Sequence, residues 1–221
     1  MRRLFRENGL SLVLVSAFLA FWIGQSVAGH REYNDEQRQH GEPETVYRAY
    51  LGSAHFWEAT TENWESEFLQ IFFYVVLTAF LFQKGSAESK KLDEPEPVDR
   101  DPRASRDRAD APWPVRRGGL ALTLYEHSLS LAFLLLFLAA ITLHAVSGAS
   151  DYNQEQAEHG HPPVSVLQYV GTSRFWFESF QNWQSEFLSI ALVVVLSIFL
   201  RQRGSPESKP VDSPHSETGS G

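Results

Sequence analysis

The sequence predicts an all-α membrane protein with four transmembrane helices, arranged as two tandem, parallel-repeat helical hairpins. Three observations predict it. Four apolar spans carry no Asp, Glu, Lys or Arg; the chain repeats itself at an offset of 119 positions; and the remaining residues are too polar to wrap those spans in a soluble core.

The first span is Leu10–Gly29 and the third is Leu129–Gly148. Each meets the ~20 helical residues that cross a ~30 Å hydrocarbon core. The second, Phe68–Phe82, and the fourth, Phe187–Leu200, are shorter, but each continues upstream into Asn-Trp-x-Ser-Glu without Gly or Pro. Their helices therefore begin earlier, with Trp64 and Trp183 as interfacial residues.

Residues 2–90 align with 121–209 without a gap, with about 38 of about 89 positions identical. Tyr33-Asn34 matches Tyr152-Asn153, His40-Gly41 matches His159-Gly160, Phe56-Trp57 matches Phe175-Trp176, and Gln83-x-Gly85-Ser86 matches Gln202-x-Gly204-Ser205. The start of the chain, with Arg2, Arg3 and the small residues Ser26-Val27-Ala28, also fits a secretory signal. Its counterpart is internal and cannot be cleaved, which favours a retained span. Because each unit crosses twice, both copies share one orientation, unlike the inverted repeats of many transporters.

These spans divide the chain into a first hairpin (1–84, spans about 10–29 and 64–82, outer loop 30–63) and a second (120–203, spans about 129–148 and 183–200, outer loop 149–182). A Pro-rich linker (85–119) and a tail (204–221) are expected to be disordered and cytoplasmic. Segments 1–9, 83–128 and 201–221 hold 15 of the 19 Lys and Arg residues. The positive-inside rule then puts both termini in the cytoplasm and both hairpin loops outside. Arg100, Arg103, Arg106 and Arg108 suggest an anionic-lipid or partner contact in the linker, but interleaved Asp residues weaken that reading.

Composition narrows the function. A mean hydropathy of -0.25 averages apolar spans with polar segments. The absence of Cys excludes disulfides, thiol catalysis and Cys-bound metals. A net charge of -8 argues against nucleic acid as a partner. No nucleophile elbow, HExxH or phosphate loop is present, so the chain is read as no enzyme and no cofactor is expected.

Within the outer loops, Ser53 and Thr172 are expected N-caps for the second helix of each hairpin. Trp57, Thr60, Trp64, Phe68 and Ile71 recur at helical spacing, as do Trp176, Ser179, Trp183, Phe187 and Ile190. Trp57, Trp64, Trp176 and Trp183 read as interfacial anchors; an aromatic ligand platform is the sharper alternative. His40 and His159, with Glu36, Glu42 and Glu155, follow no ligand spacing, and a His-Gly turn is preferred to a metal site.

Gln25, Glu67, His144 and Glu186 fall at similar depths near the outer hydrocarbon boundary, with Asn63 and Asn182 one turn above. Such groups need an interior position, water or a partner. A hydrogen-bond clamp between helices is the structural reading, and a proton or cation pathway the functional one.

The repeated NWESEFLQ and NWQSEFLS, within a duplicated span–loop–span unit, resemble a family of uncharacterised bacterial integral membrane proteins. That resemblance implies a bacterial inner-membrane location and brings no activity with it. The expected role is a structural or partner-binding envelope protein in the lipid bilayer, self-associated or paired with another envelope protein. The alternative is a small oligomeric transporter or channel subunit using the polar layer.

Overall fold

The computed structural model describes residues 2–219, and among them the regular structure is helical, with no strand. The long helices are α1 (Arg2–His40), α3 (Ala54–Phe80), α6 (Ser128–Glu158) and α8 (Ser173–Phe199). Short helices α2 (Tyr47–Tyr50), α4 (Trp113–Arg117), α5 (Gly119–Glu126) and α7 (Val166–Val170) stand between them. Three helical segments are long and apolar enough to cross a membrane, namely Phe5–His40, Ser128–Ala157 and Ser173–Phe199.

Helix α3, read from sequence as the second span, is not among those three. Its apolar run from Phe68 to Phe80 covers only about 20 Å at helical rise. The turns before it carry Glu58, Glu62, Glu65 and Glu67. Along α1 and α6, by contrast, large apolar side chains such as Leu14, Phe21, Leu135 and Leu143 face outward.

Helix boundaries follow local chemistry. α1 and α6 both end at glycines with positive φ, Gly41 at 76° and Gly160 at 69°. Backbone bonds from Glu42 N to Gln37 O and from His161 N to Gln156 O close the two last turns, as the His-Gly reading expects. The Ser53 and Thr172 hydroxyls accept from Phe56 N (3.2 Å) and Phe175 N (3.3 Å), so both expected N-caps are formed. Non-helical backbone interrupts α1 at Asn8, and the same kind of backbone at His127 separates α5 from α6.

The chain divides into two compact units, Met1–Thr61 with Leu143–Gly171, and Glu62–Thr142 with Thr172–Gly221. In the first, Tyr50 and Tyr169 are the largest fully buried side chains. The second contains the segment read as a linker, which carries 3-10 turns at Pro97–Asp99 and Pro102–Ser105 and the helix α4. Proline stands in the first turn of each of these three, where its missing N–H costs nothing. Ala111, Val115 and Leu122 bury against one another beyond them. The sequence-matched Gln-x-Gly-Ser segments form similar turns. Gln83 N donates to Ser89 Oγ and Gln202 N to Ser208 Oγ, each at 2.9 Å.

Candidate functional site

In the first unit, two asparagines each hold a loop to a helix. Asn34, on α1, donates from Nδ2 to Thr45 O (3.0 Å) and accepts at Oδ1 from Thr45 N (2.8 Å). Asn153, on α6, makes the same pair of bonds to Val164 O (2.9 Å) and Val164 N (2.7 Å). An amide matches a peptide group donor for acceptor, so one side chain satisfies both backbone groups of a loop residue. His30 joins the first bracket, its Nε2 lying 2.6 Å from Thr45 O.

Two tyrosines lie beneath these loops, each against a glycine of the long helix. A Cβ at Gly29 would lie 2.3 Å from Tyr50 Oη, and one at Gly148 would lie 2.5 Å from Tyr169 Oη. Only glycine lets the rings approach this closely. His30, Tyr33, His55 and Phe56 surround the Tyr50 ring at centroid distances of 5.5 to 5.9 Å. Burial, reinforced by the carboxylates of Glu32 and Asp151, pushes the Tyr50 hydroxyl up to about 12. Tyr50 and Tyr169 stand 119 positions apart in the sequence.

In the second unit, α3 and α8 meet along a polar seam. Asn182 Nδ2 donates to Glu62 Oε1, and Trp183 Nε1 donates to Glu65 Oε1 at 3.2 Å. Lower down, Gln70 Nε2 reaches both Glu186 O (2.7 Å) and Ser189 Oγ (2.9 Å). Phe73 and Phe187 continue the seam with ring centroids 5.8 Å apart. Glu65 is fully buried and Gln70 nearly so.

The residues singled out from the sequence are therefore distributed unevenly. Gln25, Glu67 and Asn63 are exposed, Glu186 and Asn182 are half-buried, and His144 is fully buried. Asn182 and the backbone of Glu186 belong to the α3–α8 seam. His144 lies in the first unit, a ring nitrogen within 4.8 Å of a Glu58 carboxylate oxygen. Trp64 and Trp183 are half-buried, whereas Trp57 and Trp176 are exposed. Trp183 also packs edge-on against Phe137, at 6.4 Å between centroids.

Glu58 and Glu65 are the buried acids that sequence reasoning missed. The positions 119 residues later carry no acid, being Phe177 and Gln184. A signal was present: Glu58, Thr61, Glu65 and Leu69 recur at spacings of three and four, and all four are buried on one face of α3.

The fold thus defines an all-α protein with three helices fit to cross a membrane and a polar helix–helix seam. The chain belongs to the family described as domain of unknown function DUF6766, whose model matches residues 1–220 and so runs through the linker and into the tail. No curated protein and no solved structure matches it.

Proposed function

We propose that this is a structural or partner-binding protein of the bacterial inner membrane, built as two copies of one hairpin with four spans and both termini cytoplasmic. The α3–α8 seam carries this reading. Gln70 bonds Ser189, which stands 119 positions later and is its own counterpart in the repeat. A contact between equivalent positions is what a two-fold relationship between hairpins produces on its axis. The bonds from Asn182 to Glu62 and from Trp183 to Glu65 satisfy polar groups by helix pairing, in the manner of a clamp. They also give α3 partners for acids that would otherwise oppose its crossing. The paired Asn34 and Asn153 brackets support the same assignment, as they give the outer loops a fixed shape for a partner to recognise.

Single cysteines at Ser53, Ser105 and Thr172 in the Cys-free chain test the topology. A membrane-impermeant maleimide should label positions 53 and 172 from outside intact cells. Labelling of position 105 would overturn the orientation.

A second reading, a small oligomeric transporter or channel subunit, draws on the polar layer of Gln25, Glu67, His144 and Glu186 expected from the sequence. Such a protein would show proton or cation flux in liposomes that the Glu67→Gln, Glu186→Gln double variant abolishes. Absence of flux in the unaltered protein favours the clamp.

A further inference from the structure

The C-terminal half of α3 has an unusual neighbour. A cavity of about 820 Å³ lies where α3 meets the chain that follows it, lined by Tyr74, Thr78, Glu88, Lys91, Glu96 and Glu207 among others. Directly adjoining it is an apolar groove of about 290 Å³ formed by Leu77, Leu81, Phe82, Phe187, Ile190 and Val194. The two share Tyr74, Thr78, Glu88 and Ser89, so a polar chamber opens into an apolar one. Leu77, Leu81, Phe82 and Phe187 are exposed. All of these residues belong to the second unit.

The charges of the chamber are unequally committed. Lys90 is held by Asp99 at 2.6 Å and lies over the Phe82 ring. Glu96 Oε1 accepts from Lys91 N at 2.8 Å. The Lys91 ammonium makes only a long ion pair, 3.8 Å to Glu94, on an exposed side chain. Glu88 is the exception. Its Oε2 accepts from the Tyr74 hydroxyl, but its Oε1 is buried with no hydrogen-bond partner among the described residues. A buried carboxylate oxygen without a donor is costly, and an incoming N–H would relieve that cost.

We propose that this cavity and groove bind an aminophospholipid, with its ammonium on Glu88, its phosphate toward Lys91 and an acyl chain along the groove. The charge balance selects the headgroup. The walls carry four carboxylates, Glu88, Glu96, Asp99 and Glu207, against two ammonium groups, Lys90 and Lys91. That excess disfavours a purely anionic headgroup such as phosphatidylglycerol. A quaternary choline has no N–H to offer Glu88, whereas ethanolamine has three. The apolar groove commits the occupant to a lipid rather than a soluble phosphoamine, because a free headgroup would leave that surface uncovered. The proposal rests on the reading that α3 and α8 are embedded in a bilayer.

The test uses the purified full-length protein in mild detergent, supplied in turn with phosphatidylethanolamine, phosphatidylcholine and phosphatidylglycerol of identical acyl chains. Retention is counted by native mass spectrometry. Phosphatidylethanolamine should be retained about tenfold more strongly than the other two, the size of one well-made polar contact. Glu88→Gln should bring it down to the phosphatidylcholine level. Val194→Trp fills the groove without altering any charge. It should reduce retention of phosphatidylethanolamine, and it serves as the test if Glu88→Gln does not fold. Equal retention of all three lipids, or a preference unchanged in both variants, overturns the site. Competition by millimolar phosphoethanolamine would refute the role of the groove. Extraction of membranes with alkaline carbonate separates the two levels: release of the protein defeats the membrane reading, while a failed lipid preference in a protein that stays embedded defeats only this site.

Discussion

Asn153 holds both backbone groups of Val164, donating to its carbonyl at 2.9 Å and accepting from its amide at 2.7 Å. Asn34 does the same for Thr45. In both, eleven residues separate the two ends of the bracket, spanning the helix end, the glycine turn and the proline that follows. The loop conformation is thereby tied to the helix by side-chain chemistry rather than by a large core. Asn153→Ala should therefore cost about 2 kcal/mol, since two backbone groups lose their partner. Asn153→Asp should cost as much or more, because it removes the donor to Val164 O. Thermal unfolding in detergent measures both, and a change within about 0.5 kcal/mol, the range of an ordinary surface substitution, would sink the bracket.

The two tyrosine–glycine contacts give a sharper test because they differ in detail. At position 29 the added Cβ meets Tyr50 Oη at 2.3 Å, while Cζ stands off at 3.3 Å. At position 148 the Cβ would meet Tyr169 Oη at 2.5 Å, with Cε1 and Cζ at 2.8 and 2.9 Å. Gly29→Ala and Gly148→Ala should each destabilise by about 1–3 kcal/mol through overpacking. Tyr50→Phe should recover most of the loss at position 29. Tyr169→Phe should recover little at position 148, where the ring itself obstructs. Equal rescue at both positions in paired melting curves would contradict the geometry.

The Tyr50 hydroxyl links folding to alkaline pH. Its folded value of about 12 stands above the ordinary 10.0, so the folded state holds the proton more tightly than the unfolded chain. The stability this contributes is fully present below pH 10 and is lost as pH rises toward 12. Tyrosinate absorbance near 295 nm should show one group titrating late in the folded protein and missing from Tyr50→Phe. A difference spectrum between the two that titrates at the ordinary tyrosine value would contradict burial as the cause.

Gln70 should be a coupling residue for the seam. Gln70→Leu removes both bonds to α8, and polar bonds between helices in a bilayer contribute about 0.6–2 kcal/mol. Ser189→Ala removes only one of the two bonds. A double-mutant cycle between Gln70 and Ser189, read by unfolding in detergent, should therefore give a non-zero coupling. Strict additivity would mean that the side chains do not meet.

Lys209 provides a check on the tail. Although it lies beyond α8, it is almost fully buried, and its ammonium donates to Pro214 O, His215 O and Glu217 O. Lys209→Met keeps much of the apolar stem and removes all three donors. The variant should lose protection of residues 205–219 against limited proteolysis while α8 remains protected. An unchanged digestion pattern would remove the ammonium as the organiser of this turn.

The sequence by itself determined the local features. Helix ends were legible at His40-Gly41 and His159-Gly160 because left-handed backbone favours glycine. The Ser53 and Thr172 caps were legible because a hydroxyl satisfies an amide only three residues away. Apolar runs marked four spans, and three of them lie in helices long and apolar enough to cross a membrane, because hydropathy is additive along a chain. Tertiary structure decided what depends on how one helix is rotated against another. Depth counted along a helix put Gln25 and Glu67 in one polar layer, but depth says nothing of facing, and both are exposed. The partners of Glu62 and Glu65 are Asn182 and Trp183, more than a hundred residues away, and no spacing within α3 specifies them. The same holds for the turns of segments 85–119 and 204–219. They are held by individual side-chain bonds, such as Gln83 N to Ser89 Oγ and the Lys209 ammonium to three carbonyls, which composition does not record.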